Sequence, residues 1–172
     1  MNLIFCGSSG TGKSAAIKTA LREANEPIYG FWTEKLAPTV TGKCPVVLHG
    51  CMESLNFTHL IGTCRDRHAE RFPSVFDEFG VKFLSDIPKG SLVLMDEIGF
   101  MENDAKDFLR AVFAVLDGDY RVIAAVRDRS TPLLDAIRSH EKSFCVQALE
   151  ARDAETLQSI LARWNFGHGS TK

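Results

Sequence analysis

The chain has 172 residues, 45% hydrophobic and 24% charged, which suits a single domain with a sizeable core. Twenty Lys and Arg against 22 Asp and Glu give a net charge of -2 and a pI near 6.2, so no basic field exists for nonspecific nucleic-acid binding. The longest apolar run, Ala111 to Leu116, is far short of the about 20 residues of a membrane helix, and the N-terminus lacks a signal-peptide core; membrane, secreted-scaffold, disordered and collagenous classes are excluded.

Leu3 to Cys6, followed at once by Gly7, reads as a buried strand. Ile17, Ala20, Leu21 and Ala24 then recur at helical spacing. Ile28 to Leu36 is aromatic and β-branched enough for a second strand. Residues 37–66 differ: Pro38, Gly42, Pro45, Gly50 and Gly62 punctuate them. Val46 to Leu48 and the alternation Leu55, Phe57, His59, Ile61 predict two short antiparallel strands, an insertion packed on the main sheet. Pro73 opens a helix with Val75, Phe76 and Phe79 on one side and Gly80 as its stop. Ser91 to Met95 is a strand. A helix runs from about Asp104 to Leu116 and ends at Gly118. Arg121 to Val126 is a strand; Thr131 caps a helix with Pro132 at its first position, ending near His140. Phe144 to Ala148 is a fifth core strand, and Asp153 caps a last helix through Leu157, Ile160, Leu161 and Trp164. The domain is residues 1–166, with 167–172 as a frayed tail. Alternating strands and helices predict an α/β fold with a mostly parallel sheet and helices on both faces.

Gly7-Ser8-Ser9-Gly10-Thr11-Gly12-Lys13-Ser14 is a complete G-x-x-x-x-G-K-S between a strand and a helix, the context of a phosphate-binding P-loop, with Ala15 next in the helix. Triphosphate oxygens must be wrapped by backbone N–H groups, which demands conformations that glycine tolerates. The helix N-terminus adds its dipole. Lys13 supplies a charge for the β- and γ-phosphates and Ser14 a hydroxyl ligand for Mg²⁺.

Leu92-Val93-Leu94-Met95-Asp96-Glu97 sets two carboxylates at the C-terminal end of a buried strand, where open α/β sheets bind ligands. Asp96 is read as a magnesium residue and Glu97 as the base for an attacking water. Glu after Asp also predicts another strand between the P-loop strand and this one.

These residues carry a resemblance to the THEP-type nucleoside-triphosphatases, the family of the cancer-related nucleoside-triphosphatase. Besides the P-loop, Gly30-Phe31-Trp32-Thr33-Glu34 is similar to the family's Gly-Phe-aromatic-Thr-Glu, and Asp96-Glu97-Ile98-Gly99-Phe100-Met101-Glu102 to its Asp-Glu-Ile-Gly-Lys-Met-Glu. Phe100 stands where lysine is common, and Lys35-Leu36-Ala37 follows where the family usually has an arginine. The resemblance implies a RecA-like fold and slow Mg²⁺-dependent hydrolysis of several nucleoside triphosphates to diphosphates.

In that strand order Arg127, after the Val122–Val126 run, faces the γ-phosphate and stabilises developing charge; the alternative is a solvated arginine paired with Asp128. Arg65 and Arg67 are candidate arginine fingers or plain surface charge. Trp32, Trp164 and Phe166 are candidate base-stacking groups or core. No Asn-Lys-x-Asp string occurs, so selection among ATP, GTP, CTP and UTP is expected to be loose. The five cysteines (Cys6, Cys44, Cys51, Cys64, Cys145) read as reduced cytosolic thiols, since the gaps among Cys44, Cys51 and Cys64, even with His49 or His59, lack a zinc site's close pair. His49, His59, His68, His140 and His168 form no spaced pair. The expected function is nucleoside-triphosphate hydrolysis in the cytoplasm, with no nucleic-acid or membrane partner and nothing indicating a protein partner. A small-molecule kinase and a nucleotide-binding accessory module are the alternatives.

Overall fold

The computed structural model describes residues 1–166 other than Glu23, Leu55 and Arg67. The tail at 167–172 with its His168, the candidate finger Arg67, Leu55 of the predicted strand and the side chain of Phe166 lie outside the described residues. Eight strands build one sheet: β1 (Asn2–Gly7), β2 (Ile28–Lys35), β3 (Cys44–Gly50), β4 (His59–Arg65), β5 (His68–Arg71), β6 (Leu92–Ile98), β7 (Arg121–Arg127) and β8 (Ser143–Gln147). Their order is β5-β4-β3-β2-β6-β7-β1-β8. From β2 to β8 every neighbouring pair is parallel, and β7 lies between β1 and β6 as the Asp-Glu pair predicts.

The core strands are continuous apolar runs because both faces of the sheet are covered. On one face Ile4, Cys6, Val93, Met95, Val122 and Ala124 pack against three helices: α2 (residues 73–83), α3 (Lys106–Asp117) and α4 (Pro132–Arg138). On the other, Leu3, Phe5, Leu92, Leu94 and Ile123 meet α1 (Lys13–Leu21) and α5 (Ala154–Phe166). The predicted caps form: Thr131 accepts from the Leu134 N–H at 3.2 Å, and Asp153 from the Thr156 N–H at 2.8 Å.

Four expectations are corrected. The insertion does not pack on the sheet; β3, β4 and β5 extend it antiparallel from the edge of β2. The third strand, β5, escapes the sequence because His68-Ala69-Glu70-Arg71 is exposed throughout and has no apolar alternation; edge pairing with β4 alone makes it a strand. Gly80 does not end its helix: α2 passes through it, with Phe76–Gly80 as a π-helical turn. A Cβ on Gly80 would stand 2.6 Å from the Phe108 ring, so the glycine serves the close approach of α2 to α3. Finally, α3 starts at Lys106, later than Asp104, because Asp77 of α2 caps it, accepting from the N–H groups of Asp107 and Phe108 at 2.9 and 3.0 Å.

Gly30 sits opposite Leu94 in β2–β6 with φ of 93°, and a Cβ there would lie 2.0 Å from the Leu94 carbonyl oxygen. Backbone that close has no rotamer by which to yield. Gly30→Ala is expected to lower unfolding free energy by at least about 3 kcal/mol, from positive-φ strain plus overpacking. Urea denaturation checks it; an unchanged midpoint would show that β2 does not approach β6 this closely.

Candidate active site

The P-loop leaves β1 and enters α1. Gly10 and Gly12 take left-handed φ of 79° and 100°, and Gly12 caps α1 with no side chain over the helix's first N–H groups, which stay available to an anion. Thr11 braces the loop from within, its hydroxyl donating to the Ser8 carbonyl at 2.8 Å. Lys13 is buried. Its ammonium donates to the carbonyls of Gly7 at 2.6 Å and Ser8 at 2.8 Å and lies 3.0 Å from Glu97 Oε2. Ser8, Ser9, Gly10, Gly12, Lys13, Ser14 and Ala15 border a cleft of about 1150 Å³, together with Asp96, Glu97 and Arg127. Every motif thus converges on one side of the sheet, at the C-terminal ends of β1, β7, β6 and β2.

The pairing of β6 with β7 slips between Asp96 and Ile98, leaving Glu97 as the extra residue of a bulge, a device that re-aims a side chain. Asp96 is buried and accepts from Ser14 Oγ at 3.1 Å. Burial pushes its carboxyl above the usual range; the Ser14 hydrogen bond and the Lys13 charge oppose that, and the Glu97 charge adds to it. Glu97 holds two cations at once. Lys13 takes Oε2, while Arg127 reaches Oε1 with Nε at 2.8 Å and Nη2 at 2.6 Å. Arg127 therefore pairs with Glu97 across strands, where its sequence neighbour Asp128 was the alternative.

The second motif divides along β2. Phe31 is buried edge-on against Phe108, and Thr33 accepts the Glu97 N–H at 3.3 Å, tying β2 to the acid. Trp32 stacks on His49 with centroids 4.0 Å apart, and Glu34 lies 3.4 Å from the same histidine. After β6, the buried Glu102 carboxylate accepts the Gly99 N–H and closes the turn that carries Phe100. Sequence reasoning gave no role to Thr33, Phe100, Glu102 or Arg129. The motif's own Thr and last Glu were the only signal for two of them.

Comparison with known proteins gives the family and the fold. A family model described as NTPase matches residues 2–161. This chain belongs to that family, the THEP-type nucleoside-triphosphatases. It is similar to nucleoside-triphosphatase THEP1 of Thermotoga maritima, 26% identical over 172 residues that cover 98% of each chain. The THEP1 of Thermotoga petrophila is also 26% identical, over 98% of this chain and 96% of that one. The crystal structure of THEP1 from Aquifex aeolicus superposes with a TM-score of 0.74 at 21% identity, covering 95% of this chain and 99% of that one, and shows the same fold.

Elsewhere in this NTPase, Arg65, Trp32, Trp164, Cys44 and Cys51 fall outside the cleft, while Cys64 lines it away from the P-loop. Arg65 is exposed beside Asp66 at 4.0 Å. Trp164 is core, its indole N–H donating to the Met1 carbonyl at 2.9 Å. Trp32 is committed to His49. Cys44 faces Cys64 across β3–β4, whereas Cys51 lies near Asp96, its thiol pushed up to about 12 by burial. All five cysteines are free thiols, and among the described residues no three His, Cys, Asp or Glu gather around a point suited to a metal ion. No helix among them is long and apolar enough to cross a membrane.

Burial raises the Glu102 carboxyl from 4.5 to about 7 against the opposing Gly99 hydrogen bond. The folded state then holds a proton that the unfolded chain releases first. Stability from this group is complete below pH 4.5 and is lost as pH rises toward 7, by on the order of 3 kcal/mol. Glu102→Gln keeps the acceptor for Gly99 and removes the titration. The variant's melting temperature is expected to gain on the wild type between pH 5 and pH 8, as measured by thermal unfolding. Parallel shifts of both proteins would contradict it.

Proposed function

We propose that this NTPase hydrolyses nucleoside triphosphates to diphosphate and phosphate with Mg²⁺, with loose selection among ATP, GTP, CTP and UTP. The observation that carries this reading is Glu97: a carboxylate lining the cleft, aimed by a bulge, braced by Thr33 and held by Arg127, beside the P-loop lysine. The names of the curated relatives support the same activity.

The residues fit a magnesium ion. A hydroxyl and a buried carboxylate converge at Ser14 and Asp96, the donor pair of a P-loop metal site, and Asp96 has no strong cation of its own. Bound there, Mg²⁺ would neutralise charge on the phosphate oxygens. The rest belongs to the chain. Backbone N–H groups of 8–15 wrap the phosphates, and Lys13 exchanges its contact with Glu97 for phosphate oxygens. Glu97, kept in place by Arg127, then orients a water and takes its proton as the water's oxygen bonds to the γ-phosphorus and the diphosphate leaves. Loose base selection follows from a grip built on backbone, with Trp32 and Trp164 engaged elsewhere. The free thiols suit a cytoplasmic setting. The slight negative charge disfavours nucleic-acid binding.

A second reading, transfer of the phosphoryl to a small-molecule acceptor, has one observation in its favour. The cleft continues past Glu97 along the added strands, to Val46, Ile61, Cys64, His68 and Phe76. Phosphate release from the four triphosphates with Mg²⁺ and no acceptor separates the two: robust release supports hydrolysis, and release of diphosphate only with an acceptor supports transfer.

Two substitutions test the site itself. Lys13→Ala is expected to weaken a nonhydrolysable analogue in calorimetry and to cut turnover sharply; unchanged affinity and rate would remove the phosphate role. Glu97→Gln is expected to bind Mg-nucleotide nearly as well as wild type yet lose about 10²–10⁴-fold in single-turnover hydrolysis, or about 3–5 kcal/mol. Raising Mg²⁺ should partly restore Asp96→Asn and leave Glu97→Gln unimproved; equal restoration would make Glu97 a second metal-shell carboxylate.

A further inference from the structure

Two arginines share one ring in the cleft. The guanidinium carbons of Arg127 and Arg129 lie 5.3 and 5.5 Å from the centroid of Phe100, within the range in which an aromatic face attracts a cation. The two differ in their other partners. Arg127 is neutralised by Glu97 through two nitrogens. Arg129 also borders the cleft but makes no ion pair among the described residues.

Its backbone is nonetheless held at several points. The Arg129 N–H donates to the Arg127 carbonyl at 2.9 Å. Arg138 of α4 donates to the Arg127 carbonyl at 3.0 Å and to the Arg129 carbonyl at 2.6 Å. Between them the Asp128 N–H donates to the Gly7 carbonyl at 3.1 Å, so the loop after β7 is tied directly to the P-loop. An exposed arginine ordinarily has many rotamers. Here the backbone is clamped at both ends of a three-residue span, and the guanidinium is drawn to a ring that itself sits on the Glu102-closed turn.

Charge bookkeeping separates the roles. Hydrolysis brings an anion into a site where Lys13 and Arg127 both already face Glu97. When Lys13 turns to the phosphates, Arg127 is still required to hold the base. Lys35 also borders the cleft without an ion pair among the described residues, but from the end of β2; in the loop after β7, beside Arg127, the cleft cation without a carboxylate is Arg129. We infer that Arg129 is an arginine finger supplied in cis, contacting the γ-phosphoryl oxygens as their charge develops, with Phe100 as the positioning residue that holds it. This rests on the hydrolase reading above and adds to it a group that neither the motifs nor the relatives' names indicate.

The test compares Arg129→Ala, Phe100→Leu and Phe100→Tyr with Glu97→Gln run alongside. Three quantities are read: single-turnover hydrolysis, affinity for a nonhydrolysable triphosphate analogue, and retention of Mg-diphosphate by aluminium fluoride, a mimic of the transferring phosphoryl. Arg129→Ala is expected to lose about 10³-fold in rate or more, the scale of an arginine finger, and to lose aluminium fluoride trapping while analogue affinity stays near wild type. Phe100→Leu is expected to lower kcat with KM unchanged, and Phe100→Tyr, which keeps the ring, to restore both rate and trapping. Wild-type hydrolysis in Arg129→Ala with a dead Glu97→Gln overturns the finger and leaves the hydrolase reading standing. Wild-type hydrolysis in both variants overturns that reading itself. Equal losses of rate and analogue affinity in Arg129→Ala would make it a ground-state phosphate contact and overturn the finger. A Phe100→Leu protein that melts earlier but hydrolyses normally would overturn the positioning role.

Discussion

Lys13, at the start of α1, and Arg127, at the end of β7, approach one carboxylate, Glu97, and the cleft is organised around that meeting. Charges this poorly hydrated are held in place only when opposed, so the three side chains fix one another's positions. The arrangement depends on strand order. Parallel pairing opens the P-loop, the acid pair and the β7 arginine on a common side, and β7 between β1 and β6 sets Arg127 beside Glu97. A bulge that lengthens β6 by one residue then turns Glu97 toward the lysine while Asp96 remains with Ser14.

The neighbouring contacts serve that arrangement mechanically. Thr33 takes the Glu97 N–H, and Gly30 lets β2 come close enough to β6 for it to do so. Glu102 closes the turn beyond the strand, and Asp128 ties the β7 loop to the P-loop through Gly7. The Gly-Phe-Trp-Thr-Glu motif is thus a brace for the acid: its phenylalanine anchors in the core and its tryptophan is stacked on His49. The added strands β3 to β5 lengthen the sheet beyond this brace and extend the cleft away from the P-loop, giving the site more room than a phosphate chain occupies.

Much was legible in the chain alone. The glycine spacing before Lys13-Ser14, the apolar run into Asp96-Glu97, and the strand–helix alternation are local patterns, and local patterns report backbone conformation and burial directly. They were sufficient for the α/β class, the parallel core, the caps at Thr131 and Asp153, and the two motifs that border the cleft. Tertiary structure decided what depends on partners distant in sequence. β5 exists because β4 offers it an edge, although its own residues are all exposed. Asp77 caps a helix 30 residues away, and Gly80 continues a helix because Phe108 needs the space. Arg127 takes Glu97 over the adjacent Asp128, and Arg129 comes to rest over Phe100. Sequence spacing reports which residue types are near one another along the chain. Which charges meet, and which is left unopposed, is set by the order in which strands pair.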